Sequence, residues 1–304
     1  MLTVLITAPI FGACQYRYEP GFRQIPLSEH SIQFIYQLRP TDSANIFNFN
    51  YFYNHGEVGI GDFNGNSLPN IYIGGKMVSS RLYLNLGGFR FEDIMLLSES
   101  GTDRWLTRIS SVVDINHDHL TDLCLGISGL EQAKRGNLQF VNQGNNTIGI
   151  PEFKKIAVDY DGYIPHAVFF DFDRDQDIDI YLLNAANTEF YEKQINKIHT
   201  DQQTLTSNKL FKNRGIGKDG HPVFKDISGD AGITEAGFGL DINYHDFIGV
   251  FFPDINVSDD YLSYDLLNIN INQQDGTFSD EADHGGEWLN LTEMVGTPKL
   301  TITN

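Results

Sequence analysis

Positive charge is scarce in this chain. Its 304 residues hold 21 Lys and Arg against 40 Asp and Glu, a formal net charge of −19. Such a body repels phosphate, which argues against nucleic acid and anionic membrane surfaces as partners. Cysteine is nearly absent, with two residues, Cys14 and Cys124. Cys124 lies in Asp122-Leu123-Cys124-Leu125, a strand-like setting that suits a small buried thiol. No apolar run is long enough for a membrane-spanning helix, since the best one, Met1 to Ala13, is too short. Familiar catalytic motifs are missing too: no H-E-x-x-H, no G-x-S-x-G and no P-loop. Gly215 to Gly220 spells G-x-G-x-x-G, but it sits between two strand-like segments with no helix after it, and so is expected to be a turn. The H-x-H pair His117 and His119 has no third His or Cys nearby, and zinc is not expected there.

What the chain does have is a recurring sentence rich in side-chain oxygen. It reads GDFNGNSLPNIYIG from Gly61, VDINHDHLTDLCLG from Val113, FDFDRDQDIDIYLL from Phe170 and HDFIGVFFPDINVS from His245. With position 1 set at Asp62, Asp114, Asp171 and Asp246, the first three copies carry Asp or Asn at positions 1, 3, 5 and 9. An alternating apolar strand follows each. Oxygens at every second residue of a tight loop converge on one hard cation, the arrangement Ca²⁺ favours. The expected ligands are Asp62, Asn64, Asn66, the Leu68 carbonyl and Asn70 in the first loop. In the second they are Asp114, Asn116, Asp118, the Leu120 carbonyl and Asp122. The third offers Asp171, Asp173, Asp175, the Asp177 carbonyl and Asp179. Ligand charge tunes calcium affinity, so the third loop is expected to bind most tightly and the first most weakly. The fourth has Ile248 and Val250 at positions 3 and 5, and no calcium is expected there. An EF-hand would need an acid at position 12, where Ile73, Leu125 and Leu182 stand.

More than the loop repeats. A second strand ends in Asn each time: RLYLN to Asn85, LQFVN to Asn142 and KLFKN to Asn213. A Gly-rich turn and a Phe-centred strand follow, FRFEDI from Phe89, PEFKKI from Pro151 and PVFKDI from Pro222. The fourth copy keeps Leu267 to Asn270 and Asp275 to Phe278. One unit is therefore four antiparallel strands, the make-up of a propeller blade, and the fold class is all-β. The third unit carries an insertion, Ala186 to Asn208, within which Thr188 to His199 has helical spacing. FNFNYFYN, Phe47 to Asn54, alternates like a strand with one buried face.

These phrases resemble the FG-GAP or VCBS-type repeats of exported bacterial proteins, whose blades carry a phrase close to GDFNxDGxxDIYV. The likeness covers about residues 46–282 and is similar to the repeat region of proteins bearing an ASPIC/UnbV domain. It implies a β-propeller with Ca²⁺ in its blade loops, acting in binding or scaffolding at a cell surface, with a protein or polysaccharide as ligand. The Gly usual at position 6 is here Ser67, His119 and Gln176. Four units are fewer than such propellers close with, so the chain is expected to be an incomplete propeller. Closure with four or five blades, or by association, is the alternative. Phe11-Gly12-Ala13-Cys14 resembles a lipobox, implying a signal segment over residues 1–14 and a lipid anchor at Cys14, hence an outer-membrane lipoprotein or extracellular protein. Residues 15–45 are a leader and 283–304 an irregular tail. The expectation is a non-enzymatic module. The alternative is a polysaccharide-acting lyase or hydrolase with a site at the channel mouth, built from histidines such as His55, His166 and His245.

Overall fold

The computed structural model describes residues 22–42, 45–47, 50–53, 57–94, 106–127, 136–158, 164, 166–184, 207–233, 239–247, 249–259, 266–272 and 276–280. The expected signal segment, most of the helical insertion and the C-terminal tail lie outside these residues. Four antiparallel sheets of four strands each make up the fold, every sheet a meander of consecutive strands. The first holds β1 (Val58–Gly61), β2 (Asn70–Ile73), β3 (Arg81–Asn85) and β4 (Phe91–Asp93). The second holds β5 (Leu106–Val113), β6 (Asp122–Ile127), β7 (Gly136–Asn145) and β8 (Pro151–Val158). The third is β9 (His166–Phe170), β10 (Asp179–Leu183), β11 (Lys209–Ile216) and β12 (Pro222–Asp226). The fourth is β13 (Gly239–His245), β14 (Asp254–Asp259), β15 (Leu266–Asn272) and β16 (Thr277–Asp280). The repeat boundaries expected from the sequence are thus the sheet boundaries, and each acidic loop joins the first strand of a sheet to its second.

The sheets stack through alternate residues of their second strands. Leu123 and Leu125 of β6 pack with Tyr72, Leu82 and Leu84 of the first sheet, while Cys124 between them turns to Ile180 and Leu182 of β10. Tyr181 and Leu183 turn the other way, to Ile255 and Val257 of β14. A period of two thus feeds two cores from one strand. The first strands run side by side, β1 against β5, β5 against β9 and β9 against β13. Gly61 permits the first of these approaches, because a Cβ there would lie 2.5 Å from the Val112 Cγ1. Among the described residues the four sheets do not form a closed barrel or propeller.

The two end faces differ. On the face of the first sheet that no other sheet covers, Val58, Ile60, Ile71, Ile73 and Phe91 lie together by register, with Val58 57% and Ile60 61% exposed. Residues of the leader cross part of it: the Tyr83 hydroxyl donates to the Gln33 carbonyl at 3.0 Å. A groove of about 620 Å³ remains, lined by Ile25, Ile32, Ile60, Ile71, Phe89 and Phe91 among others. At the far end, β13 and β14 pair Asn243 with Asn256 on the face away from the core. Asn256 occupies the position held by Tyr72, Cys124 and Tyr181, each fully buried.

One local expectation fails. The segment containing Phe47 to Asn54 is not a strand where described: Asn50–Tyr53 forms a 3₁₀ turn. Phe52 is fully buried, with the Lys76 ammonium 5.5 Å from its ring centroid, and Tyr53 meets it edge-on. Anchoring a single ring this way needs a turn, and alternation alone does not supply a partner strand.

Candidate metal centres

Each loop is closed by its first aspartate. Asp62 accepts the N–H groups of Asn66 and Ser67 at 3.1 and 2.7 Å. Asp114 does the same for Asp118 and His119 at 3.2 and 2.9 Å, and Asp171 for Asp175 and Gln176 at 3.1 and 2.9 Å. Asp246 repeats the pattern with Val250 and Phe251. Position 5 then accepts from position 7: Leu68 N–H to Asn66, Leu120 to Asp118 and Asp177 to Asp175. Because the fourth loop makes the first bonds without oxygen at position 5, the turn does not need that position, while Asp254 at position 9 still accepts the Phe247 N–H at 2.8 Å. Position 2 is its apolar anchor, with Phe63, Ile115 and Phe172 buried in the three inter-sheet cores.

Bending a chain so sharply requires left-handed backbone. It occurs at position 6, as the family phrase implies, with φ of 65° at Ser67, 67° at His119, 76° at Gln176 and 71° at Phe251. It also occurs at position 4, at Gly65, His117, Arg174 and Gly249. An L side chain there costs about 1–2 kcal/mol relative to its relaxed conformation. Gln176→Gly is accordingly expected to raise stability by roughly 0.5–1 kcal/mol, after Gly's own entropy cost, in urea unfolding. A fall in stability would show that the Gln176 side chain contributes more than its backbone strain removes. His117 and His119 occupy these turn positions with side chains 50% and 95% exposed. His117 lies 3.6 Å from Asp177 of the next loop.

Position 9 has a role the spacing did not reveal. Asp122 is fully buried and accepts the N–H of Ile115 at 2.9 Å on one oxygen and that of Asn142 at 2.7 Å on the other. Asp179 accepts from Phe172 at 3.2 Å and Asn213 at 2.8 Å. The same acid therefore staples the loop's entry to the third strand. Burial pushes both carboxyls up to about 7, against the opposing pull of their N–H donors. In the first loop Asn70 keeps one of the two bonds, from Phe63, and its Nδ2 is buried without a partner.

The strand-ending Asn completes this frame. Asn85, Asn142 and Asn213 accept the N–H two residues on, from Gly87, Gly144 and Gly215. Their amides donate to the position-8 carbonyls of Pro69, Thr121 and Ile178. Behind Asn142 and Asn213 the pairing register slips, so the Asn caps a bulge. Asn142 reaches further. Its amide also donates to the Phe63 carbonyl of the first loop at 2.8 Å, and Asn145 donates to the Asn64 carbonyl at 2.8 Å. The third-strand end of one sheet thus clasps the loop of the sheet before it.

The donor set suits a hard cation. One oxygen each from Asp171, Asp173 and Asp179 lie within 4.8 Å of one another. At position 3, Asn64 Oδ1 and Asp173 Oδ1 are buried acceptors with no hydrogen-bond donor. In the second loop the Asn116 amide donates to Asp118 at 2.9 Å, drawing positions 3 and 5 together. One cation is already present in the third loop: the Lys212 ammonium bonds to Asp173 and lies 2.9 Å from Asp175. Burial lowers the Lys212 pKa, but those carboxylates outweigh it and hold the ammonium protonated.

His166 begins β9 and His245 ends the neighbouring β13, so these two do not share one end of the first strands. His166 bonds to Asp241 at 2.8 Å near the start of β13, whereas His245 ends that strand, beyond the Tyr244 ring that stacks on Phe170. His55 lies outside the described residues. No protein-family model matches this chain, and no curated protein matches it.

Proposed function

We propose that this chain is a calcium-binding segment of an FG-GAP or VCBS-type β-propeller, exported and held at a cell surface as a binding or scaffold module for a protein or polysaccharide. The observation that carries the calcium reading is the convergence of the Asp171, Asp173 and Asp179 oxygens in the third loop, with buried acceptors at position 3 of the first and third loops, Asn64 Oδ1 and Asp173 Oδ1, that no protein donor reaches. Support for the propeller comes from the succession of first strands, β1 beside β5, β5 beside β9 and β9 beside β13, with each acidic loop leaving the end of one of them. Anchoring through Cys14 belongs to the same proposal and rests on Phe11 to Cys14. Among the described residues no helix is long and apolar enough to cross a membrane.

Calcium would be held by the side chains at positions 1, 3 and 5, the position-7 carbonyl and the acid at position 9. Bound there, it supplies positive charge that offsets the converging carboxylates. The chain's own bonds from position 1 to the N–H groups at positions 5 and 6 orient the ligands. The position-9 staple ties the site to the third strand, so occupancy stabilises the sheet as well as the turn.

Calorimetric titration with calcium tests this. Asp118→Ala is expected to weaken one site at least tenfold, because it removes a charged ligand and the position-7 anchor. Asp246→Ala is expected to leave binding unchanged, since its loop has apolar residues at positions 3 and 5. The reverse pattern, or a wild-type chain that takes up no calcium, sinks the reading.

A further inference from the structure

We infer that Lys212 is the third loop's built-in cation, and that calcium enters this loop only by displacing its ammonium. The inference rests on the calcium reading above and changes the order of the sites within it. Lys212 stands in β11 immediately before Asn213. The matching residues before Asn85 and Asn142 are Leu84 and Val141, both buried in the cores between sheets. Only the third unit puts a charge there, and it is also the unit whose loop has acids at positions 1, 3, 5 and 9.

The side chain is directed at the ligand positions. Its ammonium bonds to Asp173, lies 2.9 Å from Asp175 and sits 5.7 Å from the centroid of the Phe172 ring. The Lys212 and Asp173 side chains are each 19% exposed, so water screens the pair weakly. Positions 3 and 5 are where a divalent ion would take charge from the loop. Being attached to the same sheet, the ammonium acts at the high effective concentration of an intramolecular partner. Calcium brings twice the charge and more coordination positions, but it must break two charge-assisted bonds before using either carboxylate. One oxygen of Asp173 stays without a donor, so the ammonium satisfies the cluster only in part.

The consequence is an inversion. Ligand charge alone ranks the third loop first, whereas the internal ammonium lowers its calcium affinity below that of the second loop. It also leaves the third loop ordered when calcium is removed. Metal dependence then centres on the first two sheets, because the fourth loop has neither ligands at position 5 nor need of them.

Calcium titration of the full chain, read by calorimetry together with thermal unfolding in chelator, provides the test. In the wild type, Asp118→Ala removes the tightest site. Lys212→Leu tightens a different site at least tenfold, survives combination with Asp118→Ala, and loses the gain when Asp175→Ala is added. Lys212→Gln, which keeps a donor without the charge, gives the same direction. In chelator both Lys212 variants unfold at lower temperature than wild type, and calcium restores them. If wild type binds calcium but neither Lys212 variant tightens any site, the lysine inference is overturned while the calcium reading stands. If no variant binds calcium, both fall.

Discussion

Asp122→Ala is expected to destabilise the protein by roughly 3 kcal/mol or more, because it strands two buried N–H groups. Ile115 at the loop entry and Asn142 in the third strand both donate to this carboxylate. The loss has little to do with calcium and should persist in chelator. Asp122→Asn is the informative companion, since an amide retains one acceptor oxygen, as Asn70 does for Phe63 in the first loop. It should cost about half as much as alanine. Urea unfolding of both variants in chelator gives the comparison. Equal and small effects would show that Asp122 is a metal ligand with no structural duty of its own.

The second large effect is expected at Asn142, and its magnitude should depend on which sheet the substitution touches. Asn142→Ala removes two amide donations and one acceptance at a fully buried residue, for a cost of about 3 kcal/mol. Asn85→Ala, at the same place in the first repeat, removes one donation and one acceptance at its own loop, for about 1 kcal/mol. The difference reflects the bond to the Phe63 carbonyl, which joins two sheets, together with the deeper burial of Asn142. Matching costs at the two positions would mean that this inter-sheet bond contributes nothing net.

Much of this architecture is written locally. The position-1 aspartate, the left-handed turn at position 6 and the Asn before the Gly turn each act within a few residues, so a repeated phrase exposes them. The second strands were expected to alternate, yet Leu123-Cys124-Leu125 and Ile180-Tyr181-Leu182 are apolar at every position and bury both faces. What spacing hid are the contacts made across the array. Asp122 and Asn142 are distant in sequence, and nothing near either residue announces the other. Lys212 looks like an ordinary strand lysine until β11 is set beside the loop before β10. Position 9 hid its second role for a related reason: an acid suited to a cation is equally suited to two backbone N–H groups. The strand expected around Phe47 to Asn54 was inferred from alternation, which cannot distinguish a paired edge from a turn that buries one ring.

Asn256 gives the stack a direction. Where Tyr72, Cys124 and Tyr181 bury a ring or a thiol against a following sheet, Asn256 presents a half-buried amide. Another sheet laid on that side would have to bring a hydrogen-bonding group for it. The opposite side, around Ile60, Ile71 and Phe91, has no such deterrent. The two ends therefore ask different things of a neighbour: an apolar surface at one, a hydrogen-bonding group at the other.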